Sequence, residues 1–301
     1  MPLGLDTHLR PGSTRRERRR HVFLECDLPP QQVAPWNLPR PPRAPRPDGL
    51  GWDTATWWAA FVGALCLFPV DLVTRLRALG VRRFSALPYA HRPGIAEYLN
   101  DWAADLAVRV PEVLESATLF PEPGVETYVA RRIDTGVRVF KVHVQVGRFE
   151  LTDPLLDEAW GLIEEAAVPT VIHVNSGPVA NEHTGPEPMR ALLRRHPRLV
   201  AVLAHMGAPE YADFLDIAER HETVRLDTTM VFTDFFEEMA AFPRDLLPRL
   251  AALGDRVLLG SDFPNIPYPY AHQLEALERL ELGEDWLRKV CWTNAAELFG
   301  V

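Results

Sequence analysis

From about residue 69 onward, short apolar runs alternate with longer segments whose apolar residues recur at helical spacing. The first pair is a helix predicted over residues 71–79, which ends at Gly80, and a strand predicted over residues 81–88. Further helices are predicted over residues 93–110, 125–135, 154–167, 187–196, 209–221, 235–253 and 270–280. Further strands are predicted over residues 114–120, 137–146, 170–174, 200–205, 224–228 and 257–261.

This alternation of strands and helices predicts an α/β fold. Each strand is a nearly continuous apolar run, which is typical of parallel strands that are buried on both faces. Residues 3–8 can supply an eighth strand, so we expect a (β/α)8 barrel whose first strand is divergent or poorly formed. An open nucleotide-binding sheet is disfavoured because the chain contains no GxGxxG phosphate loop.

The first fifty residues differ in composition from the rest of the chain. They hold ten of the 28 prolines and nine arginines. We therefore expect an Arg- and Pro-rich segment over residues 1–50, with a remnant first strand at 3–8, ahead of a barrel over residues 51–301. The abrupt change also raises the hypothesis that residues 9–65 are a frame-shifted reading in front of an intact barrel.

Composition and charge narrow the class of partner. The content of 47% hydrophobic and 24% charged residues is that of an ordinary globular protein, and the net charge of −9 disfavours a nucleic-acid partner. The apolar stretch over residues 55–70 is too short to span a membrane. Three widely spaced cysteines fit a reducing cytoplasm. We expect a small-molecule substrate, and a homodimer is left open.

Three of the predicted strands lead into residues that can bind a metal ion or move a proton. His173 and His205 end their strands, and Asp262 directly follows the last strand. Because the carboxyl ends of barrel strands meet at one mouth, the three side chains are expected in one site. Imidazole and carboxylate groups are ligands of zinc, so the sequence predicts a divalent metal ion, with Zn²⁺ preferred.

Further polar residues are expected to contact the substrate at the same mouth. Lys141 and His143 alternate along one strand and therefore face the same side of the sheet. If that side is the barrel interior, Lys141 can orient a substrate carboxylate or, when carbamylated, bridge two metal ions. The structural alternative for Lys141 is pairing with a neighbouring barrel carboxylate. Beyond the strand ends lie Asn175, His183 and Asn265, as well as Glu187, Glu210, Asp227 and Thr228, each of which can bind substrate or stabilise a loop.

The motifs VIHVNSG, LAHMG, LLGSDFP and TNAAELFG, in this order, resemble the amidohydrolase superfamily, in particular the branch that includes aminocarboxymuconate semialdehyde decarboxylase. The resemblance covers roughly residues 70–301. It implies a barrel with one divalent ion, with His173 as a metal ligand, Asp262 as a ligand or base, and His205 acting on substrate or water.

The family pattern also includes an HxH motif at the end of the first strand, and this chain departs from it. The nearest match is His8, but the second histidine position holds Arg10, whose guanidinium cannot bind a cation. His8 can bind the metal alone, His21 can substitute, or the site is weakened or empty.

The function expected from these residues is a metal-dependent hydrolase that cleaves an amide, ester or lactone bond with a metal-activated water. One alternative is a non-oxidative decarboxylase of a small aromatic or enoic carboxylate, which would use the same residues. A second alternative is a catalytically impaired barrel that acts as a binding protein.

Overall fold

The computed structural model describes residues 21–23 and 69–301. The strand predicted at residues 3–8, the metal ligand predicted at His8 and the composition boundary near residue 50 lie outside these residues and stay predictions. No helix in the part of the chain that the structure describes is long and apolar enough to cross a membrane.

The strands form two parallel sheets that follow chain order. They are β1 (His21–Phe23), β2 (Val81–Ser85), β3 (Val113–Leu114), β4 (Ser116–Thr118), β5 (Val139–His143), β6 (Thr170–His173), β7 (Ala201–Leu203), β8 (Val224–Asp227) and β9 (Val257–Leu258). One sheet has the order β1-β2-β3 and the other runs from β4 to β9 in sequence. Only Glu115 separates β3 from β4, so the described strands fill eight positions. With helices between the strands, this confirms the (β/α)8 expectation.

Helices separate most successive strands. They are α1 (Pro69–Ala78), α2 (Ala96–Arg109), α3 (Val125–Asp134), α4 (Val144–Gly147), α5 (Asp157–Glu165), α6 (Pro186–Arg195), α7 (Tyr211–Arg220), α8 (Asp234–Ala240), α9 (Leu247–Ala252), α10 (Tyr270–Glu278), α11 (Glu284–Arg288) and α12 (Asn294–Phe299). Short 3₁₀ turns lie at Pro154–Leu156, Ala204–Gly207, Arg244–Leu246 and Gly254–Arg256, and a π-helical turn lies at Lys289–Thr293.

The first described strand, β1, is one that the sequence pattern did not predict. His21 pairs with Val81, the first residue of β2, and Phe23 pairs with Phe84. His21 therefore begins a parallel strand and stands at the end opposite to the strand carboxyl ends. The alternative that His21 substitutes for His8 in the metal site stays a prediction.

Two predicted strands end earlier than expected, and one predicted helix is divided. The strand predicted over 137–146 stops at His143, because the chain then turns into the short helix α4. The strand predicted over 200–205 stops at Leu203, and His205 lies in the following 3₁₀ turn. The helix predicted over 235–253 is divided into α8 and α9, because the chain is extended at Ala241 and Pro243. Pro243 also lacks the N–H that would continue a helix.

The interior of the barrel is lined by alternate residues of the strands. Val139, Val171, Val202 and Leu258 form one apolar cluster with Phe299 of α12. Their neighbours along the strands, such as Phe140 and Ile172, belong to a separate cluster with the helices. Since side chains alternate along a strand, Lys141 and His143 share the interior side with Val139. The predicted common face of these two residues is therefore the barrel interior.

We predict that Asn100 of α2 stabilises the fold through the backbone of β4. Its amide donates to the Thr118 carbonyl at 3.0 Å and its oxygen accepts from the Thr118 N–H at 2.7 Å, and all of these atoms are buried. Asn100→Ala leaves both backbone groups without this partner and should lower the free energy of unfolding by about 2 kcal/mol. Urea denaturation measures the change.

The matched control is Val108→Ala on the same helix, because Val108 is 84% exposed. This change should alter the free energy of unfolding by less than about 0.5 kcal/mol. If Asn100→Ala unfolds at the same urea concentration as Val108→Ala, the paired hydrogen bonds do not hold α2 against the barrel.

Candidate active site

Three imidazole rings lie side by side at the carboxyl ends of neighbouring strands. The rings of His143 and His173 are stacked with centroids 3.9 Å apart, and those of His173 and His205 meet edge to face at 4.9 Å. His143 and His173 are paired in register across β5 and β6. All three side chains are buried. The structure thus brings together the two histidines predicted at strand ends. His143 extends this pair beyond His173.

Two aromatic rings extend this row at its ends. Tyr89, in the segment after β2, lies 4.6 Å from His143 between ring centroids. Phe236, on α8, is nearly parallel to His205 at a centroid distance of 6.1 Å. Sequence reasoning missed both residues. Tyr89 directly follows the predicted strand 81–88 and could have been found by its strand-end position, whereas nothing in the sequence singles out Phe236.

Backbone carbonyls hold the rings of His205 and His173. Nδ1 of His205 donates to the Thr229 carbonyl at 3.1 Å, and Nε2 of His173 donates to the Gly177 carbonyl at 3.2 Å. A carbonyl only accepts, so in each neutral ring the opposite nitrogen carries the lone pair. The lone pair is therefore on Nε2 in His205 and on Nδ1 in His173.

The ring of His143 is held in its neutral form. Its Nδ1 accepts from the Val146 N–H at 3.4 Å. Burial places the pKa of His143 well below its ordinary value, and the nearby Lys141 and His205 side chains lower it further. Lys141 itself is fully buried on the interior face of β5. At neutral pH the stacked pair therefore has an uncharged imidazole next to a buried lysine.

Asp227 at the end of β8 fixes the segment that carries His205. Its Oδ1 accepts from the backbone N–H of His205 at 3.0 Å and from that of Thr229 at 2.9 Å. His205 and Met206 both have positive φ, 52° and 54°, which costs backbone energy for residues other than glycine. Asp227 was expected to bind substrate or stabilise a loop, and these contacts are those of a loop-stabilising carboxylate.

Asp262 and Asn265 are buried in the segment after β9. The backbone at Asp262 has a positive φ of 55°, and the Asn265 N–H donates to the Asp262 carbonyl at 2.6 Å. Both residues therefore belong to one tight turn at the same edge of the barrel as the imidazoles. Their predicted roles, ligand or base for Asp262 and substrate contact for Asn265, stay predictions.

The other two residues expected to bind substrate are placed differently. Asn175 is buried between the segments that follow β6 and β7, and its amide donates to the Ala208 carbonyl at 2.7 Å. His183 lies nearer the surface, where its Nδ1 pairs with Glu150 at 2.8 Å. The structure does not bring His183 into the imidazole row, and its contact with substrate stays a prediction.

The described residues include two of the three predicted metal ligands. His173 and Asp262 offer donor groups that zinc accepts. Across residues 21–23 and 69–301, however, no three His, Cys, Asp or Glu side chains are arranged to hold an ion. The residues present thus do not by themselves complete the site that was predicted, and the predicted ligand His8 lies outside them.

We predict that Gly260 is required for the support of His205. A Cβ at this position would stand 1.9 Å from Oγ1 of Thr229 and 3.1 Å from Oδ1 of Asp227. Gly260→Ala should therefore displace the Thr229 and Asp227 contacts and lower the free energy of unfolding by roughly 1–3 kcal/mol. Thermal unfolding measures the loss, and the imidazole NMR signals of His205 should shift.

The matched control is Gly161→Ala in α5, where a Cβ meets no atom within 4 Å. Alanine favours a helix over glycine, so this variant should be as stable as the parent protein or slightly more stable. Equal stability of the two alanine variants, with unchanged His205 signals, would show that the Thr229 contact does not depend on Gly260.

Solved structures similar to this chain share its fold. An uncharacterised TIM-barrel protein from Bordetella bronchiseptica superposes with a TM-score of 0.64 at 19% identity, over 77% of this chain and 82% of that chain. A 5-carboxyvanillate decarboxylase from Sphingomonas paucimobilis gives 0.57 at 17% identity, over 80% and 86%. A probable 2-pyrone-4,6-dicarboxylic acid hydrolase from Acinetobacter baumannii gives 0.56 at 13% identity, over 77% and 88%.

At these identities the likeness establishes the barrel and not the reaction. A search of curated proteins finds no match to the chain. The sequence profile of the amidohydrolase family, in contrast, matches residues 35–301, which is most of the chain and includes all three strand-end histidines. The protein therefore belongs to the amidohydrolase family.

Proposed function

We propose that the protein is a metal-dependent hydrolase that cleaves an amide, ester or lactone bond in a small molecule. The observation that carries the proposal is the buried row of His143, His173 and His205 at the carboxyl edge of the barrel. Burial removes water from the imidazole rings, and this costs free energy unless the ring nitrogens bind a polar partner or a ligand. Barrel enzymes carry their catalytic groups at this edge.

His205 is the proposed group for proton transfer. Its Nδ1–H is fixed on the Thr229 carbonyl, so its Nε2 has the lone pair that a general base needs. The Asp227 contact to its backbone N–H keeps the residue in place. After taking a proton, the same nitrogen can return it to the leaving group.

The proposed substrate carries a negative charge. Lys141 is buried on the interior face of β5, two residues before His143, and places a cationic group below the imidazole row. A cationic side chain at this position would attract an anionic substrate and stabilise negative charge that develops during hydrolysis. We therefore propose that a carboxylate accompanies the bond that is cleaved.

The proposed metal is a divalent ion, Zn²⁺ in preference to others. His173 and Asp262 would hold it together with His8, and a bound ion would supply Lewis acidity and lower the pKa of a water molecule. The donor types support this assignment, since imidazole and carboxylate are zinc ligands. Amidohydrolases typically bind divalent metal ions.

A second candidate function is non-oxidative decarboxylation of a small carboxylate. The same imidazoles could deliver a proton to carbon as carbon dioxide leaves. One structure with a similar fold is a 5-carboxyvanillate decarboxylase, which makes this reaction class worth testing. The third possibility, a barrel that binds without catalysis, would appear as binding without turnover. For all three we propose a cytoplasmic setting, which suits the odd number and wide spacing of the three cysteines.

We predict that His205→Ala reduces kcat by at least about a hundredfold, because proton transfer by a positioned side chain contributes that much or more. The measurement is hydrolysis of a panel of lactones, esters and amides, run beside a panel of aromatic carboxylates assayed for carbon dioxide release. Zn²⁺, Mn²⁺ and Co²⁺ are supplied in separate reactions.

The matched control is His221→Ala, because His221 lies at the end of α7, outside the imidazole row. Its kcat should stay within about twofold of the parent value. Carbon dioxide release without hydrolysis would favour the second candidate. Absence of turnover on both panels with every metal, or equal loss in the two variants, would overturn the proposed enzyme.

A further inference from the structure

The side-chain amide of Asn175 has a hydrogen-bond partner for its nitrogen but, among the described residues, none for its oxygen. Its side chain is 2% exposed, and Nδ2 donates to the Ala208 carbonyl at 2.7 Å. Among the residues that the structure describes, none donates a hydrogen bond to its Oδ1. A buried acceptor in this state is costly, so it points to a ligand that supplies the donor.

The orientation of this amide is determined by chemistry. The Ala208 carbonyl can only accept, and the backbone N–H of Gly177 also donates to it, at 3.3 Å. Rotating the amide by half a turn would place Oδ1 against that carbonyl and lose the 2.7 Å hydrogen bond. Nδ2 is therefore the group that faces Ala208, and Oδ1 is the acceptor that remains.

Asn175 belongs to the segments that adjoin the imidazole row. It lies two residues after His173, and its partner Ala208 lies three residues after His205. The segments that follow β6 and β7 are further tied by the hydrogen bond from Gly177 to Ala208. Asn175 thus stands between the segments that carry two of the imidazoles, whose ring centroids are 4.9 Å apart.

We infer that Oδ1 of Asn175 selects substrates that present an N–H or O–H donor beside the reacting bond. This inference rests on the proposed function and narrows it. Amides and hydroxylated carboxylates offer such a donor, whereas simple esters and lactones do not. A site with a buried polar group rejects an analogue that leaves the group unpaired, so a lactone would be a poor substrate beside the corresponding lactam.

The test compares matched compounds that differ in one donor. δ-Valerolactam is paired with δ-valerolactone for turnover, and each of the three monohydroxybenzoates is paired with its methoxy counterpart for binding by calorimetry. The parent protein should bind at least one hydroxyl compound about tenfold or more tightly than its methoxy partner. In turnover, the ratio of kcat/KM for the lactam over the lactone should exceed that of the uncatalysed reactions by a similar factor.

In Asn175→Ala the difference in binding between each hydroxyl compound and its methoxy partner should disappear. The lactam-to-lactone ratio of kcat/KM should fall toward that of the uncatalysed reactions. A purely structural effect, through the lost Ala208 hydrogen bond, would weaken both members of a pair equally and leave the ratio unchanged. Asn181→Ala is the matched control, because both ends of the Asn181 amide are hydrogen-bonded within the chain: its nitrogen donates to the Gln145 carbonyl and its oxygen accepts from the His183 N–H. Its ratios should equal those of the parent protein.

The outcomes separate this inference from the proposed function. Donor-dependent binding without turnover would retain the role of Asn175 and refute the hydrolase. Turnover with equal ratios in the parent and in Asn175→Ala would retain the hydrolase and overturn the role of Asn175. If the parent protein binds every pair equally, or binds none of these compounds, the inference is also wrong.

Discussion

Parallel pairing of neighbouring strands is the constraint on which the candidate site depends. Because β4 to β9 run in the same direction and in chain order, residues far apart in sequence end at one edge. The register pairs His143 with His173, and the alternation of side chains sends Lys141 to the interior side with Val139. A shift of one residue in β5 would turn both Lys141 and His143 toward the helices.

Backbone groups determine the tautomers of two imidazoles and the conformation of the segment that carries His205. The Thr229 and Gly177 carbonyls determine which nitrogen of His205 and His173 carries the proton. Asp227 holds the strained segment around His205, and Gly260 leaves the room that this arrangement needs. The imidazole row is therefore supported by loop conformations and not only by the strands from which it rises.

The barrel and its strand-end histidines could be predicted from the sequence, because both follow from the spacing of apolar residues within short segments. Apolar runs of strand length mark the interior, and residues directly after them must lie at the carboxyl edge. The sequence could not show the division of the helix at Pro243 or the position of β1, since β1 is a three-residue strand in a stretch rich in arginine and proline. Tautomers and the roles of Asp227, Tyr89 and Phe236 depend on contacts between distant segments, which periodicity does not encode.

We propose that the strand-end residues form a metal-dependent hydrolytic site. The most direct test of this proposal is the metal content of the purified full-length protein, measured by mass spectrometry after incubation with Zn²⁺ and gel filtration, for the parent and for His173→Ala. We expect about one ion per chain in the parent and a clear loss in the variant. A parent protein that retains no stoichiometric metal, or equal metal content in the two proteins, would contradict it.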